Sequence, residues 1–408
     1  MIDEAIVSAA RNLNVLFLFM GAVMIFSMHA GFAFLEVGSV RKKNQVNALN
    51  KIIFEWGIST LVYFAVGFPI AYGIKSFHFW HNAGQLTVSG SSEMVRFFLL
   101  LGFAACIPAI ISGGVAERAK FWTNTLAGAV FVGLVYPFFE ACAWGQIPLF
   151  GTGSWLESLT GHAFHDYAGS IVVHSMGGWL ALPAILILGP RKKRYGLDGS
   201  SAPIRVSSIP FLALGSWILC VGWFGFNVMS AGSLGAMSSL VAINSLMAMV
   251  GGIISGMLLS KNDAGFTHNG ALAGLVAVCA GSDLYHPVAA LFVGVVAGVI
   301  FVYGFHFVTE RLRVDDVLGV WPLHGLCGTW GGIAVGILGL PLFGGLGGVS
   351  FVSQIIPIVF QILLAFIASA LVYGVLKMTV GIRLSEQEEM LGADLAIHHV
   401  ESNPEEAL

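Results

Sequence analysis

"HDYAGSIVVHSMGGWLALPAILILGPRKKR" (His165–Arg194) decides the fold. From Ile171 to Leu188 it is apolar or small throughout, except for His174, and it ends in the basic cluster Arg191–Arg194. A helix of this length crosses a bilayer core of about 30 Å. An imidazole inside such a run is expensive; one alone is as often a hydrogen-bonded structural residue, and a second at a matched position points to function. The pattern recurs in "VDDVLGVWPLHGLCGTWGG" (Val314–Gly332), where His324 lies 150 residues after His174. In both copies an aspartate precedes the histidine by eight residues, Asp166 and Asp316, and small residues follow, "SMGG" and "GLCG".

The rest of the chain has the same character. Of its 408 residues 57% are hydrophobic and only 10% are charged, and the mean hydropathy is +0.85. A soluble domain is about a quarter charged. The 52 glycines suit close packing of membrane helices. Cys106, Cys142, Cys220, Cys279 and Cys327 all fall in apolar runs without metal-ligand spacing. No metal or cofactor is expected, and there is no basic, aromatic-laced patch for nucleic acid. There is also no phosphate-binding GxxxxGK[ST] loop for ATP-driven pumping, and the chain is not read as an enzyme. Asp3 and Glu4 stand where a signal peptide carries basic residues, so the first apolar run is read as a retained helix.

Apolar runs place eleven spans, at 13–40, 52–74, 95–116, 121–143, 167–189, 209–229, 237–259, 267–282, 287–308, 320–340 and 352–378. Numbering the loops alternately puts Arg11, Lys75 and Arg96 on one side and the other 16 of the 19 Lys and Arg on the opposite one. The positive-inside rule makes the crowded side cytoplasmic, with the N-terminus outside and the C-terminus inside. His174 and His324 fall in spans five and ten. A repeat of five helices has odd parity, so spans 6–10 repeat spans 1–5 upside down, with span 11 added, an architecture that places sites near the midplane. Residues 1–378 form the transmembrane domain. Residues 379–408 form a polar, acidic cytoplasmic tail, helical near Ser385–Leu391, where Ser385 and Glu388 are set as a capping box.

Eight helical residues rise about 12 Å, against about 15 Å for half the apolar core. Both histidines therefore reach the midplane from opposite faces and can meet. At that depth the neutral ring is the cheaper form. Two neutral rings can share one hydrogen bond and offer their remaining nitrogens to a small polar solute or a proton. Asp166 and Asp316 are placed to cap the starts of their helices. Glu36, Glu55, Glu140, His29 and His306, in or near spans, are assigned to structural hydrogen bonding.

At these residues the chain resembles the ammonium transporter family, the Amt and Mep proteins related to the Rh proteins. The signature-like stretch is "DYAGSIVVHSMGGWLALPAILILGPR" (Asp166–Arg191), and "AGFAFLEVGSVRKKN", "GGVAERAKF", "GWFGFNVMSAG" and "HGLCGTWGG" resemble further blocks in family order. The resemblance runs through all eleven spans into the tail. It implies an ammonium transporter or channel of the cell (inner) membrane. Trp144 matches the outer cation-recruiting tryptophan, Ser230 its hydroxyl partner and Asp166 its supporting aspartate. Phe103 matches the inner gate phenylalanine, Phe226 another pore ring, and His174 and His324 the twin histidines. The outer gate phenylalanine falls at Leu99, with Phe98 beside it, which puts the usual stacked pair of rings in question. Gly319 stands where some homologues have an acidic residue.

The resemblance also implies a homotrimer and a PII-type signalling partner at the cytoplasmic loop Pro190–Gly199 and the tail. On this reading NH4+ gathers at Trp144 and loses a proton, and ammonia passes the rings and histidines, while potassium has no proton to lose. The route of the proton is left open. Two competitors are an ammonium sensor that binds with little transport and an Rh-like gas channel. The end of the chain shortly after the tail argues against a fused output domain. Trp144 with Ser230 argues for cation recruitment and against the gas channel.

Overall fold

The computed structural model of the chain describes residues 2–74, 77, 81–89, 91–196, 200–202 and 204–403. Lys75, residues 197–199 of the basic loop and residues 404–408 of the tail lie outside them. Helices occupy all eleven expected positions: α1 (Ile6–Ser39), α2 (Lys42–Tyr72), α3 (Ser92–Val115), α4 (Phe121–Ala143), α5 (Ser170–Leu188), α6 (Ile209–Ala231), α7 (Ala236–Leu259), α8 (Ala264–Val278), α9 (Pro287–Arg311), α10 (residues 321–338) and α11 (Phe351–Thr379). No strand occurs among the described residues.

Nine of the helices, all but α8 and α10, are long and apolar enough to cross a membrane. α1 and α2 start seven and ten residues before the expected positions, and α8 departs from the expected 267–282 at both ends. It starts early, where Asp263 accepts from Phe266 N–H, and ends at Val278. Its 15 residues cover about 22 Å, less than the hydrocarbon thickness. It is buried from Gly270 to Val278, so neighbouring helices and not lipid surround it. Apolar side chains such as Trp217, Leu258, Leu363 and Leu371 are exposed on the outer helix faces, as a lipid-facing surface requires.

α5 and α10 form the centre and run antiparallel. Arg191, beyond the end of α5, pairs with Asp315, before the start of α10. Gly178 on α5 lies so close to α10 that a Cβ there would sit 2.1 Å from Gly325 N, and one on Gly328 would sit 2.7 Å from Ser175 N. The two contacts, 178 with 325 and 175 with 328, are the same contact under the 150-residue shift between the histidine motifs. Small residues at a helix crossing allow this approach.

Charges gather at the Arg191 end. Glu117 accepts from Arg41 and Arg191, Arg191 and Arg194 flank Asp315, and buried Arg118 donates to Gly189 and Asp315 carbonyls. The tail lies against the same end. Its helix α12 (Glu386–Leu391) begins with the expected reciprocal Ser385–Glu388 box. Glu389 accepts from Lys192 N–H and Arg383, and Lys43 donates to the carbonyls of Glu389 and Met390. Asp394 accepts from Val46 and Asn47 N–H, capping the main helical part of α2 from a distance of nearly the whole chain.

Candidate functional site

Both histidine helices start alike. Asp166 accepts from the N–H groups of Ile171 (2.9 Å) and Val172 (2.7 Å), and Asp316 from those of Val320 (2.9 Å) and Trp321 (2.8 Å). Three residues after each aspartate a glycine has positive φ, Gly169 at 97° and Gly319 at 70°. A side chain at either would be strained. At Gly319 a Cβ would also fall 2.5 Å from the Phe305 ring. Each helix then opens with a wide i→i+5 turn, Ser170–Ser175 and Trp321–Leu326, carrying its histidine. Such turns turn side chains away from the regular α register and recur at functional sites.

His174 Nδ1 and His324 Nδ1 lie 3.3 Å apart, both buried. Two neutral rings in this arrangement share one proton: one Nδ1 donates and the other accepts. His174 Nε2 is buried without a partner in the protein.

The pair lies within a file of aromatic rings. Trp144 meets Phe103 edge to face at 6.1 Å between centroids, and Phe103 stacks on Phe226 at 3.8 Å and 16°. Phe226 lies 5.4 Å from His174, His174 lies 5.4 Å from His324, and Phe32 lies 6.4 Å beyond. Trp223 stacks along His174 at 4.9 Å, its Nε1 donating to Cys279 Sγ. The expectation that Leu99 disturbs the ring stack is corrected here: Phe103 stacks on Phe226 and does not need an aromatic at 99. Leu99 is buried close to Gly21 of α1, beside Met229.

Trp144 is half-buried, and its Nε1 donates to the Asp166 carbonyl at 2.8 Å. Ser230 Oγ donates to Phe226 O at 2.8 Å, so its oxygen keeps lone pairs for a further donor. Both residues therefore adjoin the Phe103–Phe226 end of the file. At the Arg191 end of the molecule lies a cavity of about 770 Å³, lined in part by Arg191, Arg194, Phe301, Phe305 and Asp316.

The five ionisable residues assigned to structural hydrogen bonding have neighbours to bond. Glu140 accepts from the hydroxyls of Tyr63, Tyr72 and Tyr136. Glu36 takes Lys51 and Ser112, Glu55 takes Asn124, and His306 pairs with Glu310. His29 Nδ1 faces the Ile25 carbonyl. Sequence reasoning missed Phe32 and Trp223. Both lie in blocks it singled out, "AGFAFLEVG" and "GWFGF", but a ring beside a histidine leaves no spacing signal. Among the described residues no cluster suited to a metal ion occurs.

A helical membrane protein whose centre is a file of rings, polar at a buried histidine pair, defines a channel or transporter for a small solute. The sequence model of the Ammonium Transporter Family matches residues 15–403, and the chain belongs to that family. It is 40% identical to the ammonium transporter Amt2 of Methanocaldococcus jannaschii, over 100% of this chain and 95% of that protein. It is 36% identical to the ammonium transporter Amt2 of Archaeoglobus fulgidus, over 93% of this chain and 86% of that protein. Among solved structures it is similar to a sensor Amt protein, with a TM-score of 0.87 at 30% identity, covering 96% of this chain and 99% of that one. The Rh50 protein of Nitrosomonas europaea shares the fold, with a TM-score of 0.74 at 24% identity and 96% and 94% coverage.

Proposed function

We propose that the chain moves ammonium nitrogen inward across the cell membrane as ammonia. One observation carries the reading: the continuous ring file from Trp144 through Phe103 and Phe226 to His174 and His324. NH4+ gathers against Trp144, where a cation–π contact supplies about 0.5–2 kcal/mol. Ser230 accepts one N–H, and Asp166 supports the site. A bare cation in the ring file would cost tens of kcal/mol by Born reasoning, so the proton leaves first. Neutral ammonia then passes Phe103 and Phe226, bonds in turn to the two histidines and leaves through the cavity near Arg191. Asp316 holds the start of the second histidine helix. Potassium is rejected because it has no proton to give up.

The crowded basic end supports placing that cavity in the cytoplasm, with the N-terminus outside. The self-matching contacts of α5 and α10 support an inverted repeat of helices 1–5 and 6–10. Residues 1–378 then transport, and the tail from 379 closes the cytoplasmic face. Family membership supports a homotrimer, and the resemblance offers the tail and the Pro190–Gly199 loop to a PII-type partner.

Purified protein in liposomes tests the reading. An inward ammonium gradient should raise internal pH or drive current above empty liposomes, and potassium should do neither. Silence to ammonium overturns it. Similarity to a protein named a sensor favours a second reading, binding with little transport. Tight ammonium binding without flux would select it.

A further inference from the structure

We infer that the cavity at the Arg191 end holds a second, weaker ammonium site, built from Ser39, Phe305 and Asp316 as the counterparts of Ser230, Trp144 and Asp166. The inference rests on the recruiting role proposed for Trp144 and Ser230 and extends it to the opposite end of the molecule.

Each counterpart lies five helices away along the chain, as an inverted repeat of helices 1–5 and 6–10 requires. The serines belong to helices 6 and 1. Ser230 stands in the last turn of α6, and Ser39 ends α1. Ser230 Oγ donates to the carbonyl four residues back, Phe226 O, at 2.8 Å, and Ser39 Oγ does the same to Leu35 O at 2.7 Å. The rings belong to helices 4 and 9. Trp144 follows the end of α4, and Phe305 lies near the end of α9. Each ring lies against the glycine of positive φ that precedes a histidine helix. A Cβ on Gly169 would sit 3.2 Å from Trp144 Cη2, and one on Gly319 would sit 2.5 Å from Phe305 Cδ2. All four of these side chains, the two serines and the two rings, are half-buried. The aspartates precede helices 5 and 10 and cap them alike. Ser39, Phe305 and Asp316 all line the cavity of about 770 Å³.

The cavity wall supplies what a small cation with N–H donors needs. Ser39 spends its hydrogen on Leu35, so its oxygen keeps lone pairs for an incoming donor. Asn269 on the same wall donates Nδ2 to Gly265 O and keeps its own oxygen as a further acceptor. A phenyl ring attracts a cation to its face. Arg191 and Arg194 are already paired with Asp315. Among the charged groups of the wall that leaves Asp263, Glu310 and Asp316 against Arg205, a balance that draws cations.

Two differences make this site the weaker one. Phenyl holds a cation less well than indole. Phe305 also has no N–H, so nothing corresponds to the bond from Trp144 Nε1 to the Asp166 carbonyl. Its ring is placed by packing, edge to face with Phe266 at 5.3 Å. The site at Phe305 therefore empties at ammonium concentrations that still fill the one at Trp144.

Isothermal titration of purified full-length protein with ammonium chloride, with sodium chloride as the blank, tests the site. The wild type should bind two ammonium ions per chain with unequal affinity. Phe305→Leu should weaken the weaker event about 2- to 30-fold and leave the tighter one unchanged, and Trp144→Leu should do the reverse. Ser39→Ala removes an oxygen bonded only to its own helix, so it spares the fold and should weaken the same event as Phe305→Leu. One ammonium per chain in the wild type, or a weaker event that both variants leave unchanged, overturns the second site and leaves the transport reading standing. No ammonium binding in the wild type, with liposomes silent as well, overturns both.

Discussion

Trp144 is fixed by a single hydrogen bond from its Nε1 edge, which orients the indole without using its face. A cation can therefore use that face. Trp144→Leu keeps apolar bulk but removes the quadrupole, so ammonium affinity should weaken about 2- to 30-fold with the melting temperature little changed. A binding titration beside a melting curve checks it, and unchanged affinity would remove Trp144 from recruitment. His174 is held by stacking on Trp223 and by its shared proton with His324. His174→Ala removes one polar stop in the ring file and strands His324 Nδ1. Flux or selectivity against potassium should change in the liposome assay, and wild-type behaviour in both would exclude the pair from conduction.

At the scale of elements, the crossing of α5 and α10 sets the distance between the histidines. Gly178→Ala places a methyl against the Gly325 backbone, where no flexible side chain can give way. The overpacking should cost about 1–3 kcal/mol or more, read as a lower melting temperature in detergent, and it should reduce flux by pulling the imidazoles apart. This crossing was legible in the sequence, because the step from aspartate to histidine is set by helical rise and the repeat by simple spacing. The capping of α5 and α10 was legible for the same reason. The early stop of α8 was not, since the turns after Val278 depend on docking against the start of α5. The stack of Phe103 on Phe226 ran against the reading at Leu99, because ring contacts depend on how three helices meet. Trp223 beside His174 escaped notice on the same ground.

At the scale of the whole molecule, one end is tied by charges and the tail. Burial disfavours the charged form of Asp315, but the bonds and charge of Arg191, with Arg118 beside it, outweigh that and hold its carboxyl well below the usual range. A carboxyl depressed by folding stabilises the fold above its ordinary pKa, about 4, and loses that effect as pH falls through its folded value. Thermal stability should therefore drop as pH is lowered below about 4. Asp315→Asn should remove that part of the pH dependence and cost about 3 kcal/mol at neutral pH, because it leaves buried Arg191 with Glu117 alone as its carboxylate partner. Melting curves from pH 7 to pH 3 check both. The tail is bound at the same end through Asp394. Asp394→Ala uncaps α2 at a cost of about 1–2 kcal/mol, and limited proteolysis should then cut residues 379–403 faster than in the wild type. The sequence showed the Ser385–Glu388 box, a local pattern, but not a cap supplied across nearly the whole chain.

The stack of Phe103 on Phe226, 3.8 Å between ring centres, leaves no aperture of fixed width. On the proposed transport reading a solute crosses only when the rings swing aside, and parting such a pair costs about 0.5–1.5 kcal/mol beyond the loss of buried area. Throughput on that reading is a matter of waiting time: it should count ring openings, rise steeply with temperature and level off at high ammonium however fast the solute diffuses.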